Sequence, residues 1–251
     1  MAVKNSSITN LKPFPMKTVK SLLVAMMLIP ATVLLMNNCT KDNETMAATD
    51  EASVEKVLYA EDSLILQQKC DSLPYEDLNP EEVNALILMR EEELLAHDVY
   101  TGLSAVYQIP VFTFISRSEL QHATAIQRLL QKYELPDPAE NHVAGVFTSN
   151  ELQTLYTSLM EQGSASLIAA LTVGATIEDL DIKDLMDLSE VADNQDILWV
   201  FANLTKGSRN HLRSFSKLLT RNGVSYAPQL ISEELYLQIV NSPHERGPVR
   251  P

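Results

Sequence analysis

The chain has 251 residues, enough for one domain with a substantial core, and it holds only seven glycines among long runs of Leu, Ala, Glu and Gln that favour helix. The formal charge is -14, and the first 38 residues contain four lysines and no acid, so residues 39–251 carry 15 basic against 33 acidic residues. That surface repels nucleic acid and anionic membrane faces, and two cysteines exclude a four-thiolate metal centre and a disulfide framework.

The chain opens with a targeting pattern. Met16-Lys17-Thr18-Val19-Lys20 is basic, an apolar run extends from about Leu22 to Leu35, and the sequence turns polar at Cys39-Thr40-Lys41-Asp42. The run is short for a membrane span and suits the apolar core of an export signal. With Cys39 at its end, the pattern resembles a bacterial lipoprotein signal, although Asn37 and Asn38 depart from the usual small residues before the cysteine. The resemblance implies lipidation of Cys39 and a protein of the bacterial cell envelope, anchored in a membrane and facing the periplasm or exterior. An uncleaved single-pass anchor is the alternative, and Met16 competes with Met1 as the start. A Cys39–Cys70 bridge stays open on count alone. Residues 1–39 are thus expected to be a signal and 40–79 a tether, polar at first, with a short helix over Ser53 to Lys69.

Residues 80–240 read as the folded domain. Asn79-Pro80-Glu81-Glu82 starts a first long helix, running to about Tyr107, with the stripe Leu86, Met89, Glu93, Ala96, Tyr100, Leu103, Tyr107. Glu91 and Glu92 fall off that stripe and are expected in solvent, as is His97. A second helix, about Phe114 to Tyr133, carries Ile115, Glu119, His122, Ile126 and Tyr133 on one face. The link after it spans roughly 135–163 and contains a small helix ending at Gly163. His142 lies in this link with no partner evident. A third long helix, from near Ser164 to near Leu188, places Glu178 and Asp181 on its seam. A fourth, from about Asn194 to Arg221, places Ser208 and His211 on its own. Arg209, Asn210 and Arg213 are expected to serve structure, pairing with acids. A short helix to Val240 and a disordered tail over 241–251 complete the chain.

Each long helix thus breaks its apolar seam near the middle. Together they offer four carboxylates (Glu93, Glu119, Glu178, Asp181) and two imidazoles (His122, His211). Four negative charges balance two divalent cations, and Glu-x-x-His spacing sets both donors on one helix face, as in bundles that hold two iron or manganese ions. Without an ion, the same acids repel one another in an apolar interior. Tyr100 and Ser208 are read as neighbours of the ligands. The excess of carboxylate over histidine disfavours a zinc hydrolase.

The stretches Met89-Arg90-Glu91-Glu92-Glu93, Asp98-Val99-Tyr100, Glu119-Leu120-Gln121-His122, Asp181-Ile182-Lys183-Asp184-Leu185 and Gly207-Ser208-Arg209-Asn210-His211-Leu212-Arg213 resemble a rubrerythrin-related, ferritin-like family, the bacterial and archaeal domain of unknown function 2202. The resemblance covers about residues 80–240. It implies an all-α, ferritin-like four-helix bundle with a long crossover between the second and third long helices, and a metal pair without an established reaction. Ser208 stands where a di-iron protein's fourth helix would offer a second Glu-x-x-His, and Asp181 is the candidate replacement; one ion or two are both compatible with this set. Two functions emerge as expectations: an exported di-metal protein with ferroxidase or peroxidase-like activity, or a non-catalytic envelope module that keeps the polar layer as a hydrogen-bond network. Nucleic acid is not an expected partner, and a homodimer stays open.

Overall fold

The computed structural model describes Cys70 and residues 72–249, so the expected signal, Cys39 and most of the tether lie outside the described residues. The fold is all-α. Among the described residues, six helices succeed one another from Pro80 onward: α1 Pro80–Tyr107, α2 Pro110–Lys132, α3 Asn150–Gly163, α4 Leu167–Val191, α5 Gln195–Arg221 and α6 Glu233–Val240. Among the described residues there is no strand, and a lone bridge joins Val143 to Val146 in the link.

Local chemistry sets the helix ends. Asn79 and Glu82 form a reciprocal capping box at the start of α1, each side chain accepting the other's backbone N–H at 2.8 and 2.9 Å. The second Glu82 oxygen accepts the amides of Asp193 and Asn194, which ties that end to the turn between α4 and α5. α1 closes at Gln108 in the left-handed region, φ 55°. α2 then begins at Pro110, four residues before the expected Phe114. Proline suits the first helical position, where its missing N–H would have had no partner. α4 starts at Leu167 under the side-chain cap of Ser166.

The two-residue connection makes α1 and α2 neighbours with the most extensive contact in the molecule, and α4 with α5 makes the next. Smaller contacts join α1 to α4 and α2 to α5, closing a ring in the order α1, α2, α5, α4. α3, inside the link between α2 and α4, packs on α1 and α4, with Tyr107 donating to the Gly163 carbonyl at 2.8 Å. Residues 242–249, expected to be disordered, lie along α5 instead. Glu245 pairs with Arg209 and Arg213, Val249 N–H donates to Asn203, and Trp199 donates to the Val249 carbonyl. The two arginines and Asn210 hold this segment by charge and hydrogen bonding, which an apolar pattern does not register.

The core is in two parts. One apolar cluster takes in Leu86, Met89, Ile126, Leu129, Leu185, Ile197, Phe201 and Leu204; the other takes in Leu95, Val99, Tyr100, Phe112, Leu171, Ile177, Leu212 and Phe215. On α1 Glu91 to Glu93 and on α5 His211 fall in sequence between the two clusters, while on α2 and α4 Glu119, His122, Glu178 and Asp181 interleave with the second cluster at its border with the first.

Candidate metal centre

Glu93 from α1, Glu119 and His122 from α2, Glu178 from α4 and His211 from α5 meet in this intermediate layer. Their donor atoms form two triads, Glu93–Glu119–His122 and Glu119–Glu178–His211, each with its atoms within 4.8 Å of one another. Glu119 belongs to both. Its Oε2 lies 2.7 Å from His122 Nδ1 and its Oε1 lies 2.8 Å from His211 Nδ1. Glu93 Oε2 stands 3.2 Å from His122 Nδ1, and Glu178 Oε2 stands 3.3 Å from His211 Nδ1. The three glutamates are fully buried, whereas both histidines are 9% exposed, so the layer approaches solvent between α2 and α5.

The close approaches are not all hydrogen bonds. Both Glu119 oxygens, His211 Nδ1, Glu93 Oε1 and Glu178 Oε2 are buried without a hydrogen-bond partner among the described residues. Donor and acceptor are near but misaligned, as when lone pairs point at a common third position instead of at each other.

Charge is correspondingly strained. Burial, together with neighbouring Glu119, pushes Glu93 and Glu178 up to about 7 despite the histidines beside them. Burial would push Glu119 up as well, but His211 and His122 outweigh it and hold this carboxyl below its ordinary range. Burial opposes protonation of His122, yet Glu93 and Glu119 raise it to about 9, and Glu119 and Glu178 raise His211 in the same direction.

Neighbours fix the triad side chains. Tyr100 donates to Glu178 Oε1 and to the Gly174 carbonyl. His211 Nε2 meets Ser118 Oγ at 3.1 Å, which orients the ring with Nδ1 inward. His122 packs directly on α5: a Cβ built at Gly207 would lie 2.6 Å from its Cε1 and Nε2. Ser208, expected to hydrogen-bond beside the ligands, spends its hydroxyl on the Leu204 carbonyl of its own helix. Asp181 is buried, its carboxyl driven well up by burial and by the charges of Glu93, Glu178, Glu119 and Glu92, and it enters neither triad.

Several acids and a histidine lie elsewhere than the sequence pattern suggests. Glu91 and Glu92, expected in solvent, are buried. Glu91 accepts the amides of Thr148 and Ser149 at the entry to α3, and Glu92 faces Asp184 on α4. Burial, reinforced by Asp184, drives the Glu92 carboxyl well up. His142, without an evident partner in the sequence, lies 2.9 Å from Asp98. His97 is half-buried, its Nδ1 2.6 Å from the Ser116 carbonyl. These are contacts over 19 to 92 residues of sequence, beyond the reach of helical periodicity. Gly207 had a legible signal, being a helix-breaking residue in the middle of a long helix.

Residues 82–243 match the family described as "Uncharacterized protein domain (DUF2202)". The chain belongs to this family. All five triad residues, and Asp181, fall inside the matched span. The DUF2202 chain is similar to the uncharacterized protein MJ0754 of Methanocaldococcus jannaschii, 48% identical over 176 residues that make up 70% of this chain and 95% of the relative. The crystal structure of hypothetical protein MJ0754 superposes with a TM-score of 0.68 at 47% identity, over 69% of this chain and 99% of that one.

Proposed function

We propose that this DUF2202 protein is a ferritin-like, rubrerythrin-related metal protein holding a carboxylate-bridged pair of iron or manganese ions. One observation carries the reading: two histidine–carboxylate triads share Glu119, and both Glu119 oxygens, Glu93 Oε1, Glu178 Oε2 and His211 Nδ1 are buried without hydrogen-bond partners among the described residues. Glu93, His122 and one oxygen of Glu119 would hold the first ion; Glu178, His211 and the other oxygen would hold the second. Nitrogen and carboxylate donors in this proportion suit iron and manganese. Iron bound here would supply redox chemistry toward dioxygen or peroxide, as ferroxidase or peroxidase-like turnover.

The protein's own groups have definable parts. Tyr100 holds Glu178 in place, Ser118 sets the His211 ring, and Gly207 leaves the space His122 needs. The histidine edge between α2 and α5 is the more solvent-accessible side of the layer. The basic–apolar–Cys39 order of residues 16–39 supports an exported, lipid-anchored protein of the cell envelope.

A second reading is supported by the raised histidines. As imidazolium ions, His122 and His211 would offset two of the acids, leaving a non-catalytic interaction module with a polar core network. Metal analysis of the purified protein, then ferrous iron added under air with ultraviolet absorbance monitored, decides between them. Two ions per chain and accelerated iron oxidation are expected. Protein that stays metal-free and leaves iron at its background rate would establish the interaction module.

A further inference from the structure

The outward face of α5 differs in charge from the rest of the chain. From Ile197 to Arg221 the helix holds five basic residues and no acid, in a protein whose formal charge is -14. Three of the five, Lys206, Arg209 and Arg213, meet the C-terminal segment, and Trp199, Asn203 and Asn210 complete the contact. The DUF2202 match closes at residue 243, so this face lies inside the family domain while Glu245 to Val249, which cover it, lie beyond.

The face addresses backbone more than side chains. Asn210 bonds one residue twice: its Nδ2 donates to the Glu245 carbonyl and its Oδ1 accepts the Glu245 N–H, both at 3.0 Å. Val249 is bracketed similarly, its N–H donating to Asn203 Oδ1 at 2.9 Å and its carbonyl accepting the Trp199 ring N–H at 3.0 Å. Between them Lys206 donates to the carbonyl of Gly247, where the backbone takes φ 67°, a conformation that favours glycine. Two of these side chains are braced in turn, since Asn203 Nδ2 donates to the Trp199 carbonyl and Arg213 donates to Asn210 Oδ1. One side chain of the segment is recognised: Arg209 donates to both oxygens of Glu245, and Arg213 donates to Oε1.

The segment itself buries little. Glu245, Gly247, Pro248 and Val249 are half-buried, His244 and Arg246 are exposed, and none belongs to either apolar cluster. Beneath it, Trp199, Asn203 and Asn210 are at most 8% exposed. A strap held by polar contacts over little apolar surface can open locally without unfolding the bundle.

We propose that the outward face of α5 is a docking groove for a non-helical, acidic segment of a partner protein, one carrying Glu with Gly two residues later, and that residues 242–249 fill it as a built-in, displaceable ligand. The strap competes from within the same chain at high effective concentration, so a partner enters only by matching Glu245 and the backbone contacts. None of the triad residues belongs to the groove, and the inference does not rest on the metal reading.

A synthetic peptide of the sequence from Ser242 to Val249 is the probe, and Trp199, the one tryptophan of the chain, is the reporter. In the full-length variant Glu245→Lys the strap meets Arg209 and Arg213 with like charge, so Trp199 emission is expected to shift to the red. Added peptide is expected to bind this variant and reverse the shift; the same peptide with Glu245→Lys is expected to bind at least about tenfold more weakly. Unaltered protein is expected to bind the peptide at least about tenfold more weakly than the variant does, because its strap competes, and to exchange the Glu245 and Val249 amide hydrogens faster at saturation. All measurements are made in chelator, so metal binding does not enter them. Unshifted emission in the variant, no binding to it, or equal binding of the two peptides would each overturn the groove. Strap amides in unaltered protein that stay protected at every peptide concentration would overturn its displacement. Should Glu245→Lys not fold, the exchange measurement on unaltered protein decides.

Discussion

The imidazoles of His122 and His211 lie stacked, ring centroids 5.6 Å apart and planes 26° from parallel, with each Nδ1 turned to an opposite oxygen of Glu119. The two halves of the centre therefore depend on one side chain. Glu119→Gln keeps the volume and removes the shared charge, so it is expected to abolish binding of both ions. Glu93→Gln or Glu178→Gln each removes a donor from one triad only and is expected to leave one ion per chain. Metal content after anaerobic loading and desalting reads the difference; equal loss in all three variants would rule out a shared ligand.

The stability of metal-free protein is expected to fall as pH rises. Glu93 and Glu178 hold their protons up to about 7 when folded, against an ordinary value near 4.5. The folded state therefore binds more protons than the unfolded one over that window, and stability declines across it. His122 is raised from 6.5 to about 9, so its contribution is complete below 6.5 and disappears as pH climbs through 9. The groups act in the same direction, and melting in chelator should drop progressively from pH 5 to 9. Manganous or ferrous ion binds the deprotonated donors, so its stabilising effect should grow over the same range, with protons released on binding. A chelated melting temperature that held steady or rose over this range would contradict the burial of ionisable Glu93 and Glu178 in the folded protein.

Much of this site can be read from spacing alone, because Glu93, Glu119, His122 and His211 each interrupt a stripe that repeats by three and four. That method assumes one buried face per helix. It fails on α1, which touches α2, α4 and α3, so that Glu91 and Glu92 are buried although they lie off the stripe. It also cannot tell a triad residue from a clamp: Glu178 and Asp179 are adjacent and equally buried, yet one faces Glu119 and His211 and the other faces a loop. Asp179's partners lie about 50 residues downstream, and nothing local announces them.

Glycine positions separate the site from the packing. Gly207→Ala would set a methyl group 2.6 Å from the His122 ring, while Gly174→Ala would set one 2.5 Å from the Phe215 ring. The first variant is expected to fold and to bind metal about 10–100-fold more weakly, the usual effect of displacing a ligand's support. The second is expected to lose about 1–3 kcal/mol of stability through overpacking. Denaturant unfolding of metal-free protein and metal titration, run on both, should show opposite patterns. Normal metal affinity in Gly207→Ala would mean that the His122 ring does not depend on this close approach.

Asp179 provides the counterpart to the centre. Its carboxylate accepts the Tyr226 hydroxyl and the amides of Gln229, Leu230 and Ile231, so the loop before α6 hangs on one buried side chain. Here the charge is met by four donors, and no cation is needed. Asp179→Asn removes the charge and turns an NH2 group toward donors. Hydrogen bonds to a charged group contribute about 1.5–3 kcal/mol each and do not add fully, so a loss of about 2–4 kcal/mol is expected. Metal stoichiometry should stay unchanged, because Glu178, one residue earlier, keeps its contacts with Tyr100 and His211. Urea unfolding of the metal-free variant and metal content of the folded variant measure the two effects. A variant of normal stability that had lost its ions would show that donor-satisfied and donor-free acids do not divide the structural from the metal-binding carboxylates in this fold.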